Sequence, residues 1–411
     1  MISEFGVQHI ERAVWGKEET NCLLESNTLL LGATQTGKST LADIMINQVH
    51  ETNKGKIVIL EVKGERIKDI DDSDYVVSCS MSKGKNGKDF VWSVLREATA
   101  SGNVNVEEKL ARIYEPIFKE KLQKSTQPYF INAAFNLLVG ITYAMYLKYG
   151  VVSNRYLFQT IEEMDLADYY NILAETKIIK RYARDLPIIN GKMSGQTAGV
   201  LGEFSHYIRL FSRIFKSDGM DSIYDYCSSL ESEKIYFLYD YNSREECNIL
   251  YSILLNQVIA YKLSYYPITH QRVYMFLDEI SVIDNAQIDL QYAANIGTSK
   301  GLHLILAIQS IQFLMAIYGE ASANAILEGF NNIVAFKVNQ EDSKIFIRSR
   351  TGMEQEVMLM SMPISRRDKA TYQIKSYNNI TDELIDGLDT GDAIVKVGIK
   401  KTTIVHFRRG E

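Results

Sequence analysis

LLLGATQTGKST, from Leu29 to Thr40, is the stretch on which the fold turns. Within it, Gly32-Ala33-Thr34-Gln35-Thr36-Gly37-Lys38-Ser39 fits the eight-residue pattern G-x-x-x-x-G-K-[ST]. The apolar run Thr28–Leu31 reads as a strand leading in, and Ser39–His50 reads as a helix leading out. Glycines at 32 and 37 let the backbone curl so that successive N–H groups face one anion. The helix then presents its positive end to the same anion. Lys38 would reach the β- and γ-phosphates of a nucleoside triphosphate, and Ser39 would ligate Mg²⁺ through its hydroxyl. The candidate nucleotide-binding residues are therefore Gly32, Ala33, Thr34, Gln35, Thr36, Gly37, Lys38, Ser39 and Thr40.

Such a loop needs an acid for the metal and a group for the attacking water. Val273-Tyr274-Met275-Phe276-Leu277-Asp278-Glu279 is an apolar strand ending in two acids. Asp278 would hold Mg²⁺ through its water shell. Glu279 would orient or deprotonate water. Gln309 ends the next apolar run, LHLILAIQS, where its amide would feel the γ-phosphate or cap the helix that follows. Asp278 lies about 240 residues after Lys38. That spacing excludes a compact nucleoside kinase and suits a motor core carrying an insertion.

The rest of the chain supports this division. Lys56–Val62 and Tyr75–Cys79 are further strand candidates, apolar on both faces as in a covered parallel sheet. From about Val104 to Leu230 helical patterns dominate, at Glu107–Lys124, Tyr129–Lys148 and Gln196–Lys216. Strand texture returns at Lys234–Tyr239, Arg272–Leu277, His303–Ile308 and Asn332–Val338, separated by helical segments such as Glu245–Leu263 and Ala321–Phe330. Asp392–Val397 and Thr402–Phe407 read as a hairpin. The expected architecture is a discontinuous α/β domain, residues 1–100 and 231–411, interrupted by an all-α domain at 101–230.

Composition excludes other classes. The chain has 411 residues, 46% hydrophobic and 23% charged, so it is neither disordered nor fibrous. A net charge of −6 argues against coating nucleic acid with the whole surface and leaves room for a basic channel. Cys22, Cys79, Cys227 and Cys247 have neither metal-knuckle nor redox-pair spacing and read as reduced, buried thiols. The longest apolar run, Ile131–Leu147, falls short of the ~20 residues of a membrane span and reads as a buried helix. The chain is expected to be cytoplasmic, without a transmembrane segment of its own. Basic residues cluster at Lys83, Lys85 and Lys88, and at Lys177, Lys180, Arg181 and Arg184 in one helical span. Arg209, Arg213 and Lys216 fall on one helix face, and Arg366-Arg367-Asp368-Lys369 and Arg408-Arg409 are weaker groups. Each is either a phosphate-neutralising patch or a solvated face.

Taken together, these motifs resemble the TraG/TraD-type coupling proteins of type IV secretion and conjugation. The resemblance runs from LLLGATQTGKST through VILEVKGE (Val58–Glu65), Phe90-Val91-Trp92-Ser93, FLDEISVIDN, Gln309–Gly319 and Ser349–Gly352 to ITDELIDGLDTGDAIVKV. It implies a RecA-like P-loop NTPase core with an inserted all-α domain, ATP and Mg²⁺ as cofactors, and Lys38, Glu279 and Gln309 as catalytic residues. It also implies a homo-oligomer, a hexameric ring, that contacts the backbone of DNA in its channel. Relaxase or secretion-channel proteins would be partners, with recruitment to the membrane through them. Lys63, Gly64 and Glu65 match the family's Lys-Gly-Glu turn, with no role assigned.

Three departures stand out. Gln35 replaces a glycine usual in the loop. Thr298 stands where the family often has an arginine, leaving Lys300, Arg348 or Arg350 as substitutes. No N-terminal membrane helices are visible. Two alternatives stay open: a soluble FtsK/HerA-type DNA translocase in defence or chromosome processing, and a nucleotide-gated docking platform with little turnover.

Overall fold

The computed structural model describes residues 11–408 except 80–85, 103, 191, 265–270, 284–287 and 362–370, with 119, 120, 123, 124, 353–361 and 371–378 described through their backbone only. Its centre is one 11-stranded sheet. In chain order the strands are β1 (Arg12–Trp15), β2 (Thr28–Leu31), β3 (Gly55–Glu61), β4 (Tyr75–Ser78), β5 (Lys88–Asp89), β6 (Lys234–Leu238), β7 (Arg272–Asp278), β8 (Leu302–Ile308), β9 (Asn332–Ala335), β10 (Asp392–Val397) and β11 (Thr403–Phe407). Across the sheet the order is β1-β11-β10-β9-β2-β8-β7-β3-β6-β4-β5. All neighbours pair in parallel except β10, which is antiparallel to both β9 and β11.

β2, β3 and β8 are buried at every position, which is why their sequences are continuous apolar runs. Successive residues still divide between two cores. Leu29, Leu31, Val58 and Leu60 face one side, and Leu30, Ile57 and Ile59 face the other. Helix α1 (Lys38–Glu51) covers the second side with Leu41, Met45 and Val49, spaced four apart on one face.

The first core is continuous with that of the helical segment. There α2 (Val106–Lys124), α3 (Pro128–Tyr149) and α4 (Gly195–Ile214) pack through Phe118, Leu137, Leu138, Tyr207 and Phe211, and α5 (Arg244–Leu263) joins them to the sheet. α3 has 22 residues and is apolar enough to pass a length test for a membrane span, but most of it is buried among the other helices. The apolar run thus underestimates the helix, and burial accounts for its composition.

The strands and helices lie within a few residues of the expected positions. β9 ends at Ala335 and not at Val338, although the chain stays bonded along β2 into loop 32–39: Phe336 N–H donates to Leu31 O at 2.8 Å, and Lys337 O accepts from Ala33 N–H at 2.8 Å. Four features were not foreseen. These are β1, the short edge strand β5, the two-residue hairpin of Ile188–Ile189 with Lys192–Met193, and the antiparallel pair Met353–Ser361 with Thr371–Asn378. Cys227 and Cys247 are buried as expected, while Cys22 and Cys79 are only half-buried.

Trp92 marks where the chain leaves the sheet for the helices. Val91 N–H donates to Asp221 Oδ2 at 2.7 Å, and Ser93 N–H to Asp221 O at 2.9 Å. Asn154 bridges the same point, accepting from Val94 N–H and donating to Trp92 O, both at 2.8 Å. The start and the end of the helical segment are therefore tied to each other. The aromatic patch Phe90–Ser93 is a structural joint.

Candidate functional site

β2, β8, β7 and β3 are consecutive parallel neighbours, so their C-terminal ends open on one edge of the sheet. In open α/β sheets that edge is where ligands bind. It gathers the loop 32–39 after β2, Gln309 after β8, Asp278–Glu279 at the end of β7, and Lys63–Glu65 after β3. β8 lies between the loop strand and the acid strand, which places Gln309 between the two halves of the site.

The loop owes its shape to specific residues. A Cβ at Gly32 would lie 2.7 Å from Phe336 Cβ, so glycine is required by packing. Gly37 has φ 121°, and a Cβ there would also meet the Phe336 ring at 3.0 Å. Gln35 has φ 62°, the left-handed region that glycine adopts readily, and its side chain is exposed. That backbone explains the usual glycine, and the exposure lets Gln35 replace it. Thr36 Oγ1 donates to Ala33 O at 2.8 Å, closing the curl. Thr36 O in turn accepts from Gly391 N–H at 3.0 Å, so the turn before β10 braces the loop.

Lys38 is buried and folds back onto the loop, donating to Gly32 O at 2.5 Å and Ala33 O at 2.7 Å. Its pKa is lowered to about 8, first by burial and then by repulsion from Lys63, against the pull of Asp278 and Glu279. Ser39 Oγ lies 3.4 Å from Asp278 Oδ2. Asp278 Oδ1 is buried without a hydrogen-bond partner. A hydroxyl, a carboxylate oxygen and an unmatched acceptor form an all-oxygen donor set that fits Mg²⁺ and its water shell.

Glu279 has φ 56° and ψ 47°, a left-handed backbone unusual for a residue with a side chain. Its Oε1 accepts from Gln309 Nε2 at 2.7 Å. The cap of the helix after Gln309, Ile311–Tyr318, is Ser310, so Gln309 is free of that task.

The Lys-Gly-Glu turn belongs to the same site. Buried Glu61 accepts the N–H of Lys63 at 3.0 Å and of Glu65 at 3.2 Å, and Gly64 between them has φ 76°. The turn points Lys63 Nζ at Glu279 Oε1, 3.3 Å away, and at Asp278 Oδ2, 3.6 Å away. Burial works against the Lys63 charge, but the two carboxylates outweigh it and its pKa is raised. Arg66 binds Asp43 at 2.5 Å, Glu61 at 3.1 Å and Asp278 at 3.5 Å. It thus ties α1, the turn and the end of β7 together. Asp43, Glu61 and Arg66 were not singled out by sequence. The available signal was an acid ending a buried strand, followed by glycine and arginine.

The other predicted positions lie elsewhere. Thr298 and Lys300 sit in the turn Gly297–Lys300 before β8, at the opposite edge of the sheet. Arg348 pairs with Asp382 and with Glu341. Arg350 stacks over Phe346 and lines a pocket with Ser26 and Asn331, also at the far edge. Lys177–Arg184 is not one helix: Lys177 has φ 61°, and a short helix, Ile179–Tyr182, precedes a 3₁₀ turn. Arg181 there pairs with Glu107. α4 ends at Ile214, so Lys216 lies past it, and Arg213 pairs with Glu245 at 3.0 Å. Lys88 is 3.6 Å from Glu233. Lys83, Lys85, Arg366, Arg367, Lys369 and Arg409 lie outside the described residues.

Residues 20–383 match the family model described as the type IV secretion-system coupling protein DNA-binding domain. No curated protein matches the chain. Among solved structures, the bacterial conjugative coupling protein TrwBdeltaN70, unbound, is similar with a TM-score of 0.73 at 16% identity, over 95% of this chain and 86% of that one. The plasmid coupling protein TrwB in complex with ADP and Mg²⁺ gives a TM-score of 0.71 at 16% identity, over 98% and 91%. VirB4 of Thermoanaerobacter pseudethanolicus gives 0.54 at 10% identity, over 93% and 89%.

Proposed function

The chain belongs to the family of type IV secretion-system coupling proteins, and from that premise we propose that it is an ATP-hydrolysing motor that recruits or moves DNA. The observation that carries the reading is the meeting of loop 32–39, Asp278–Glu279 and Gln309 on one sheet edge, with Ser39 Oγ 3.4 Å from Asp278 Oδ2. Likeness to TrwB, solved with ADP and Mg²⁺ and with the ATP analogue ADPNP, supports ATP and Mg²⁺ as ligands.

In this reading the loop N–H groups and Lys38 hold the phosphates, with Lys38 released from the Gly32 and Ala33 carbonyls. Ser39 and Asp278 would hold Mg²⁺, which when bound would supply positive charge against the phosphates. Glu279 orients the attacking water, and Gln309 fixes the Glu279 carboxylate. The motor domain comprises 1–100 and 231–411, and the all-α domain 101–230. The working form is a cytoplasmic hexameric ring contacting DNA backbone, with relaxase or channel proteins as partners. The missing arginine at Thr298 favours one rival, a docking platform with little turnover. Phosphate release with and without DNA separates the two. Particle size with a non-hydrolysable ATP analogue tests the ring, and a monomer under every condition contradicts it.

One consequence is a pH dependence. Lys38 starts from a pKa of about 8, and phosphates return it toward an ordinary lysine value, so binding takes up a proton above that pH. Affinity for Mg·ADP should be flat below neutrality and fall roughly fivefold between pH 8 and 9. Titration calorimetry across that range measures it, and Lys38→Arg should remove the slope.

A further inference from the structure

We propose that Lys63 supplies, from within the same chain, the positive charge at the terminal phosphate that an arginine at position 298 would otherwise bring. The inference rests on the nucleotide-hydrolysis reading above.

Two observations converge on it. First, Lys63 Nζ is 3.3 Å from Glu279 Oε1 and 3.6 Å from Asp278 Oδ2. These are the water-positioning and metal-holding acids, so the ammonium stands on the γ-phosphate side of the site. Second, the side chain of Lys63 is 28% exposed, while that of neighbouring Arg66 is 6% exposed and already bound to Asp43 and Glu61. Lys63 keeps room to meet a ligand, and Arg66 does not.

The turn fixes this charge in advance. Glu61 holds the N–H groups on both sides of Gly64, and Gly64 takes the left-handed backbone that redirects the chain. A preorganised cation is stabilising where negative charge grows in the transition state, with no rearrangement needed at that moment. Within one chain the alternatives are poorly placed. Thr298 and Arg350 are at the opposite sheet edge, and Arg348 is committed to Glu341 and Asp382.

The test uses the full chain with Lys63→Ala and Lys63→Arg. A trans-acting arginine contributes 10³–10⁵ in rate, so Lys63→Ala should lower turnover by roughly 10²–10³ and Lys63→Arg should restore at least about a tenth of it. Independently of turnover, the gain in affinity from ADP to ADP–aluminium fluoride should fall at least about tenfold in Lys63→Ala. Affinity for ADP itself should move less than about threefold, with an unchanged melting temperature. Any of three results overturns the proposal: wild-type turnover in Lys63→Ala, equal loss of affinity for both nucleotides, or no recovery in Lys63→Arg. So does a wild-type chain that binds ADP and gains nothing from aluminium fluoride. A wild-type chain that binds no Mg·ADP defeats the nucleotide reading itself, a distinct outcome.

Discussion

Glu279→Gln is expected to lower ATP turnover by roughly 10²–10⁴ while Mg·ATP affinity stays within about threefold. The isostere keeps the volume and an amide oxygen that Gln309 Nε2 can still reach; in the wild type that bond is 2.7 Å to Oε1. What is lost is the negative charge that, in the proposed mechanism, polarises water. The left-handed backbone at Glu279 is unchanged by the substitution, so the fold has no reason to shift. Single-turnover phosphate release beside equilibrium nucleotide binding separates the two effects. Loss of binding in proportion to loss of turnover would place Glu279 among the binding groups.

The second large effect concerns stability. Glu97 is buried and accepts three N–H groups: Trp92 Nε1 at 2.9 Å, Ile223 N at 2.6 Å and Tyr224 N at 3.1 Å. Glu97→Ala strands these donors at the joint where the helical segment leaves and rejoins the sheet. A loss of roughly 3–5 kcal/mol is expected, seen as a lower denaturant midpoint. Burial raises the Glu97 pKa from 4.5 to about 7, against the pull of its three donors. The folded chain therefore binds this proton more tightly than the unfolded chain. The contribution of Glu97 is greatest below about pH 4.5, declines through the window to pH 7, and is level above it. At ~1.4 kcal/mol per unit, the stability advantage of the wild type over Glu97→Gln should shrink by about 3 kcal/mol across that window. An advantage independent of pH would contradict the raised value.

The parts of this site that sequence makes legible are those whose chemistry sits in consecutive residues. The loop at 32–39 and the Asp278–Glu279 pair announce themselves because phosphate and metal binding need particular residue types at fixed spacing. Gln309 was legible as a polar end to an apolar run. Its bond to Glu279 depends on β8 lying between β2 and β7, a spatial order that the chain order does not reveal. Lys63 was named as part of the Lys-Gly-Glu turn without a role, and its contacts with Asp278 and Glu279 were hidden for the same reason. So was Arg66, which joins residues as far apart as Asp43 and Asp278. The basic stripes misled because periodicity assumes a helix that continues. α4 stops before Lys216, and a left-handed turn residue, Lys177, interrupts the other span. Trp92 carried a family signal whose physical meaning, a joint held by Glu97, Asp221 and Asn154, came only with the fold.

Coupling of ATP hydrolysis to DNA at one sheet edge is tested by steady-state phosphate release from the wild-type chain, with and without DNA, at concentrations that permit assembly, beside Lys38→Ala and Glu279→Gln. Turnover should rise with DNA and vanish in both variants. Wild-type turnover no higher than that of the variants, with DNA present, would contradict it and leave the docking platform as the function of this chain.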